Sequence, residues 1–195
     1  MRLNQVSTPT VRLVKVALGG AVLAGLAISS VSHAKEAALP TVDQVNLTQY
    51  AGTWYEVARK PMMWQKKCDR DVTANYSLNE KGNVTVDNRC YTKDGELSQS
   101  IGEAYVQNAP QNSKLKVSFL PKAIRWLPVA RGDYWVLKID SDYQTVLVGE
   151  PSRKYLWVLS RDPKVSETVI NEYLEYAKQQ GYDLSDLIRT QHTAK

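Results

Sequence analysis

Between residues 52 and 160 apolar and polar side chains alternate in short runs, separated by turn-forming residues. A period of two marks half-buried strands. The runs predict eight strands, over 52–60, 72–78, 83–91, 99–107, 114–120, 134–139, 145–150 and 155–160. Val72, Ala74, Tyr76 and Leu78 share a face of the second, and Val84, Val86, Asn88 and Cys90 share one of the third. Asn79-Glu80-Lys81-Gly82 supplies the hairpin turn between them. Nearly all the links are short, so neighbours pair antiparallel in an up-and-down meander. Eight such strands close into a barrel wide enough for one small ligand. The expected class is therefore all-β, an eight-stranded antiparallel up-and-down β-barrel, or calyx.

Beyond residue 160 the period lengthens. Val169, Ile170, Tyr173, Leu174 and Ala177 fall on one helical face, which predicts a single amphipathic α-helix over 165–180. It has only the outside of the barrel to pack against. Residues 182–189 have room for a short ninth strand, and 191–195 read as a tail.

One position interrupts the apolar pattern. In Gly52-Thr53-Trp54-Tyr55-Glu56-Val57-Ala58-Arg59, strict alternation sends Trp54, Glu56 and Ala58 to the same face. If Trp54 points inward, a carboxylate does too. Either neighbours satisfy Glu56 as a structural polar group, or it contacts a ligand.

The first segment changes the charge balance and the compartment. Arg2, Arg12 and Lys15 precede the apolar run 16–28, and Ser32-His33-Ala34 offers small residues for cleavage. That is the layout of a secretory signal peptide over 1–34, too short to span a bilayer, which takes roughly 20 apolar residues. Residues 35–44 read as a linker and 45–190 as the domain. Losing the three basic residues lowers the formal net charge from +5 to +2, which argues against a nucleic-acid partner. No cysteine follows the apolar run, so a lipoprotein anchor is not expected there. Cys68 and Cys90 lie in the exported part. A hairpin turning near residue 80 brings them nearly opposite, so an oxidising compartment favours a disulfide, with two buried thiols as the alternative.

Three short stretches then resemble the lipocalin family. They are Gly52-Thr53-Trp54-Tyr55-Glu56, Asp140-Ser141-Asp142-Tyr143 and the run 156–163, Leu-Trp-Val-Leu-Ser-Arg-Asp-Pro. The likeness covers about 45–190 and is greatest to bacterial outer-membrane lipocalins and apolipoprotein D. The resemblance implies that Gly52, Trp54 and Arg161 close one end, with the guanidinium over the indole. It also implies an inner wall of Glu56, Ala58, Ala74, Tyr76, Val84, Val86, Asn88, Leu115, Val117, Phe119, Leu147, Gly149, Tyr155, Trp157 and Leu159.

Meander topology gathers the remaining links at the opposite, open end. Met62, Met63, Trp64, Lys66, Lys67, Lys122, Arg125, Trp126, Leu127, Arg153 and Lys154 make that mouth both apolar and basic. This suits an acyl chain with an anionic head, such as a fatty acid or lysophospholipid. It also suits contact with an anionic membrane surface. Catalysis is not expected, nor any cofactor or metal, because His33 leaves with the leader and His192 sits in the tail. The expected function is binding and transport of a small lipophilic ligand in the bacterial periplasm, with possible outer-membrane association. The alternatives are a lipocalin-fold enzyme of isomerase type and an envelope structural or partner-binding protein with a filled barrel.

Overall fold

The computed structural model describes residues 38–193, so the proposed signal peptide lies outside the described residues. Eight antiparallel strands form a closed barrel: β1 Gly52–Arg59, β2 Arg70–Leu78, β3 Val84–Tyr91, β4 Leu97–Val106, β5 Lys114–Ser118, β6 Gly132–Ile139, β7 Thr145–Gly149 and β8 Leu156–Ser160. Each pairs with the next, and β1 pairs with both β2 and β8 to close the ring. A short helix, α1 (Leu47–Tyr50), precedes β1, and α2 (Glu167–Gln179) packs outside. A two-residue strand, β9 (Ile188–Arg189), pairs with β1.

Two apolar layers result. The inner one joins Trp54, Tyr76, Val84, Val86, Leu115, Val146, Val148 and Leu159 inside the barrel. The outer one lies between wall and helix, where Leu137, Leu147, Leu156 and Val158 meet Ile170, Tyr173, Leu174 and Ala177. Ser166 caps α2, its hydroxyl accepting from the Val169 N–H. The described part of the segment read as a linker, from residue 38, is held against the barrel. Leu39 is buried in the outer layer, and the Val42 N–H donates to the Val136 carbonyl at 3.0 Å.

Two departures from strict alternation correct the expected inner wall. A β-bulge between Glu56 and Ala58 sends Val57 and Ala58 together to the helix side. Arg59 then returns to the inner face, opposite Trp157. Leu147 also lies in the outer layer, and a Cβ at Gly149 would meet the Tyr182 hydroxyl and Leu137 there. Every residue of β7 is buried, because the barrel interior covers one face and α2 the other. An uninterrupted apolar run carries no parity to read.

Residues 190–193 belong to the wall. β1 and β2 pair directly only from Gly52 to Tyr55. Above that level β2 turns away through Asp71, whose φ is +52°, and the C-terminal segment fills the gap. Gln191 bridges to Arg70, the Thr190 N–H donates to the Val57 carbonyl at 3.2 Å, and the Thr193 N–H donates to Asp71 at 2.6 Å. The His192 side chain is buried beside Tyr55, its Nε2 2.7 Å from the Glu56 carbonyl.

Candidate functional site

The closed end is built first, since it fixes the depth of the barrel. Trp54 is fully buried, with its indole N–H donating to the Tyr50 carbonyl at 2.8 Å. The Arg161 guanidinium lies 3.9 Å from the centre of that ring. It also donates to the carbonyls of Gln49, Tyr50, Ala51 and Thr53 at 2.7–3.1 Å. Gly52, at φ +97°, lets the backbone pass beneath; a Cβ there would sit 3.2 Å from Arg161 Nη1. Arg161 Nε also donates to the Tyr143 carbonyl at 3.4 Å, so the three stretches quoted from the sequence meet here.

Above this plug stand three phenols. Tyr134 Oη lies 2.6 Å from Tyr50 Oη and 3.0 Å from Tyr76 Oη. Burial pushes all three up, Tyr76 to about 12, so they stay neutral dipoles at physiological pH. The space they share with Val45, Leu47, Val84 and Ala104 is only about 20 Å³, room for about one water. The closed half of the barrel is filled by its own side chains.

The open half differs. Register places Val86, Asn88, Ser100, Gly102, Val117 and Trp157 on the inner face. Phe119 is half exposed and lies across Gly102, where a Cβ would come within 2.7 Å of its ring. Ser100 is exposed, and Asn88, Tyr155 and Trp157 are half-buried, so solvent reaches this inner face. Asn88 Oδ1 is itself buried without a partner.

Glu56 is 3 % exposed and fully engaged. Oε1 accepts from Arg59 Nη1 at 2.8 Å and from the Thr190 hydroxyl at 2.6 Å; Oε2 accepts from Gln65 Nε2 at 2.5 Å. Burial pushes its pKa up, against the opposing pull of Arg59 and the three donors. Gln65 belongs to a 3-10 turn, Met63–Gln65, in the β1–β2 link, and its Oε1 lies 3.5 Å from the Trp157 indole nitrogen. Glu56 thus ties the mouth loop and the C-terminal segment to β1. The same link is fastened by the Cys68–Cys90 disulfide, with Cα atoms 5.5 Å apart.

Around the mouth, Met63 is 90 % and Trp126 71 % exposed, with Ile124 and Val129 also bare. Trp64 packs edge-on to Tyr155 at 4.7 Å, joining the β1–β2 and β7–β8 links. Lys66, Lys67, Lys122 and Lys154 are exposed among them. Arg125 is engaged differently: its Nε and Nη2 donate to the Leu120 and Ile101 carbonyls, each at 2.8 Å, and so hold the β5–β6 link in place.

Sequence reasoning did not single out Arg59, Gln65, Thr190 or the tyrosine cluster. Tyr50 and Tyr134 are visible as aromatics, but only closure of the ring brings their hydroxyls together. Arg59 required foreknowledge of the bulge.

The model of the lipocalin-like domain family matches residues 45–192. Temperature-induced lipocalin-1 of Arabidopsis thaliana is 40 % identical over 154 residues, 78 % of this chain and 82 % of that protein. Outer membrane lipoprotein Blc of Escherichia coli K12 is 36 % identical over 175 residues, 89 % of this chain and 94 % of that protein. Among solved structures, insecticyanin from the tobacco hornworm Manduca sexta superposes with a TM-score of 0.60 at 19 % identity, covering 80 % of this chain and 89 % of that one.

Proposed function

The chain belongs to the lipocalin-like domain family, and from that premise we propose that it binds and carries a small lipophilic ligand of the fatty-acid or lysophospholipid class in the bacterial cell envelope. The observation that carries this reading is the contrast inside the barrel. The closed half is packed, while the open half is lined by aromatic and apolar side chains that solvent reaches. Such a lining with a few polar handles suits a small molecule with a long apolar part. Export to the periplasm fits the leader-like first segment, and the relative Blc is by name an outer membrane lipoprotein. Both cysteines of the chain are joined in the disulfide, which leaves neither to carry a lipid anchor or to act as a thiol nucleophile. Membership of the lipocalin-like family is what favours a binding role.

A second role for the mouth follows from the exposure of Met63, Trp126 and Val129 beside lysines. Apolar side chains among cations suit the surface of an anionic bilayer, where a carrier would load or unload.

Native mass spectrometry of gently purified protein, with displacement of a fluorescent fatty acid, tests the carrier reading. A co-purifying acyl lipid and saturable displacement are expected. An empty barrel that also fails to bind the probe overturns the reading.

A further inference from the structure

We propose that Arg59 grips the acid oxygens of the ligand inside the barrel, just beneath the mouth, through the Nε–Nη2 edge of its guanidinium. The inference rests on the lipophile-binding reading above and names the group that reads the ligand's head.

The bulge in β1 turns Arg59 inward at the last residue of the strand, opposite Trp157. Its residue surface is 6 % exposed. Nη1 is spent, donating to Glu56 Oε1 at 2.8 Å and to the Thr190 hydroxyl at 3.3 Å. Nε is buried with no acceptor. Nη2 makes no hydrogen bond among the described residues either. A buried guanidinium N–H without a partner is costly and rare in a finished site. The unspent edge is the fork that matches a carboxylate or phosphate with two parallel hydrogen bonds.

The surroundings suit an acid head. Glu56 engages only the Nη1 end of the guanidinium, so the opposite edge is left to a second anion. Lys66 and Lys67, in the link above, add positive potential at the entrance. Gln65, in the mouth link, is held by Glu56 and Trp157, the second of which faces Arg59 across the strands. The rim lysines then attract the head, and Arg59 holds it.

Oleate, oleoyl lysophosphatidate and oleyl alcohol are titrated into nitrogen-15-labelled protein at a pH where the acids are ionised, following the Arg59 Nε–H resonance. At least one acid is expected to move that resonance and to bind roughly tenfold or more tightly than the alcohol, as for a charge-assisted pair. Which of the two acids does so identifies a carboxylate or a phosphate head. Arg59→Lys keeps the charge but removes the fork, so it should erase most of the preference for acid over alcohol. A silent resonance at saturating acid, or a preference that survives Arg59→Lys, overturns the inference. Should that variant not fold, the resonance in the unaltered protein decides alone. If acids and alcohol bind equally and Arg59 stays silent, only this inference falls. If none of the three binds, the carrier reading falls with it.

Discussion

The two ends of the barrel combine the same residue types to opposite effect. At the closed end an indole and a guanidinium, Trp54 and Arg161, lie in contact, and the guanidinium satisfies backbone carbonyls. At the open end Trp64 and Trp126 lie half or more in solvent, with lysines around them. What separates the two is the chain around them. α1, β1 and the β6–β7 turn fold over the first pair, whereas the mouth links have only each other. Aromatic and cationic residues therefore hold the fold together where they are covered, and are left available for the proposed encounter with ligand or membrane where they are not.

The sharpest way to break this comparison is to remove an indole from each end. Trp54→Ala empties a fully buried site and should cost about 3–5 kcal/mol in urea unfolding. Trp126→Ala, on an exposed link, should stay within about 0.5 kcal/mol. Similar losses at the two ends would refute the division.

An intermediate effect is expected at the level between the ends, from pH. Burial raises the Glu56 pKa in the folded protein above its ordinary value of 4.5. The native state thus holds that proton more tightly than the unfolded chain. The resulting stabilisation is fully present below the ordinary value and is lost as pH rises through the raised one. Melting temperature measured across that window should fall less steeply for Glu56→Gln than for the unaltered protein. A parallel pair of profiles would show that Arg59 and the donors fully offset the burial. The substitution also turns one acceptor into a donor facing Gln65 Nε2, so a uniform drop in melting temperature is expected on top of the change in slope.

The smallest effect on stability, and the one that sharpens the role of the mouth, comes from its charges. Lys66→Glu, Lys67→Glu and Lys122→Glu together should leave unfolding nearly unchanged. They should slow oleate association several-fold at low salt, an effect that fades as salt rises, with little change in dissociation. The same variant should lose flotation with anionic vesicles. Arg125 is left in place because its side chain holds the β5–β6 link. A change confined to the dissociation rate would mean that these lysines touch the bound ligand instead of steering it.

Legibility varied with the number of faces a strand buries. β2 and β3 have one covered face, and alternation in Val72, Ala74 and Tyr76 or Val84 and Val86 was enough to orient them. β7 is covered on both faces, so its parity was invisible and Leu147 and Gly149 were placed on the wrong side. In β1 the period itself fails at the bulge, which moved Ala58 out and Arg59 in. The residues argued to form the site suffered most, since they gather where the regular pattern breaks.

The order of turns and alternating runs determined the meander, its closure into a barrel and the outer helix, because those depend on spacing along the chain alone. The inward turn of Arg59, the filling of the lower half by three tyrosines and the use of residues 190–193 as wall were decided only by the folded molecule. Each depends on contacts between residues distant along the chain, such as Tyr50 with Tyr134 and Glu56 with Thr190, which exist only once the ring has closed.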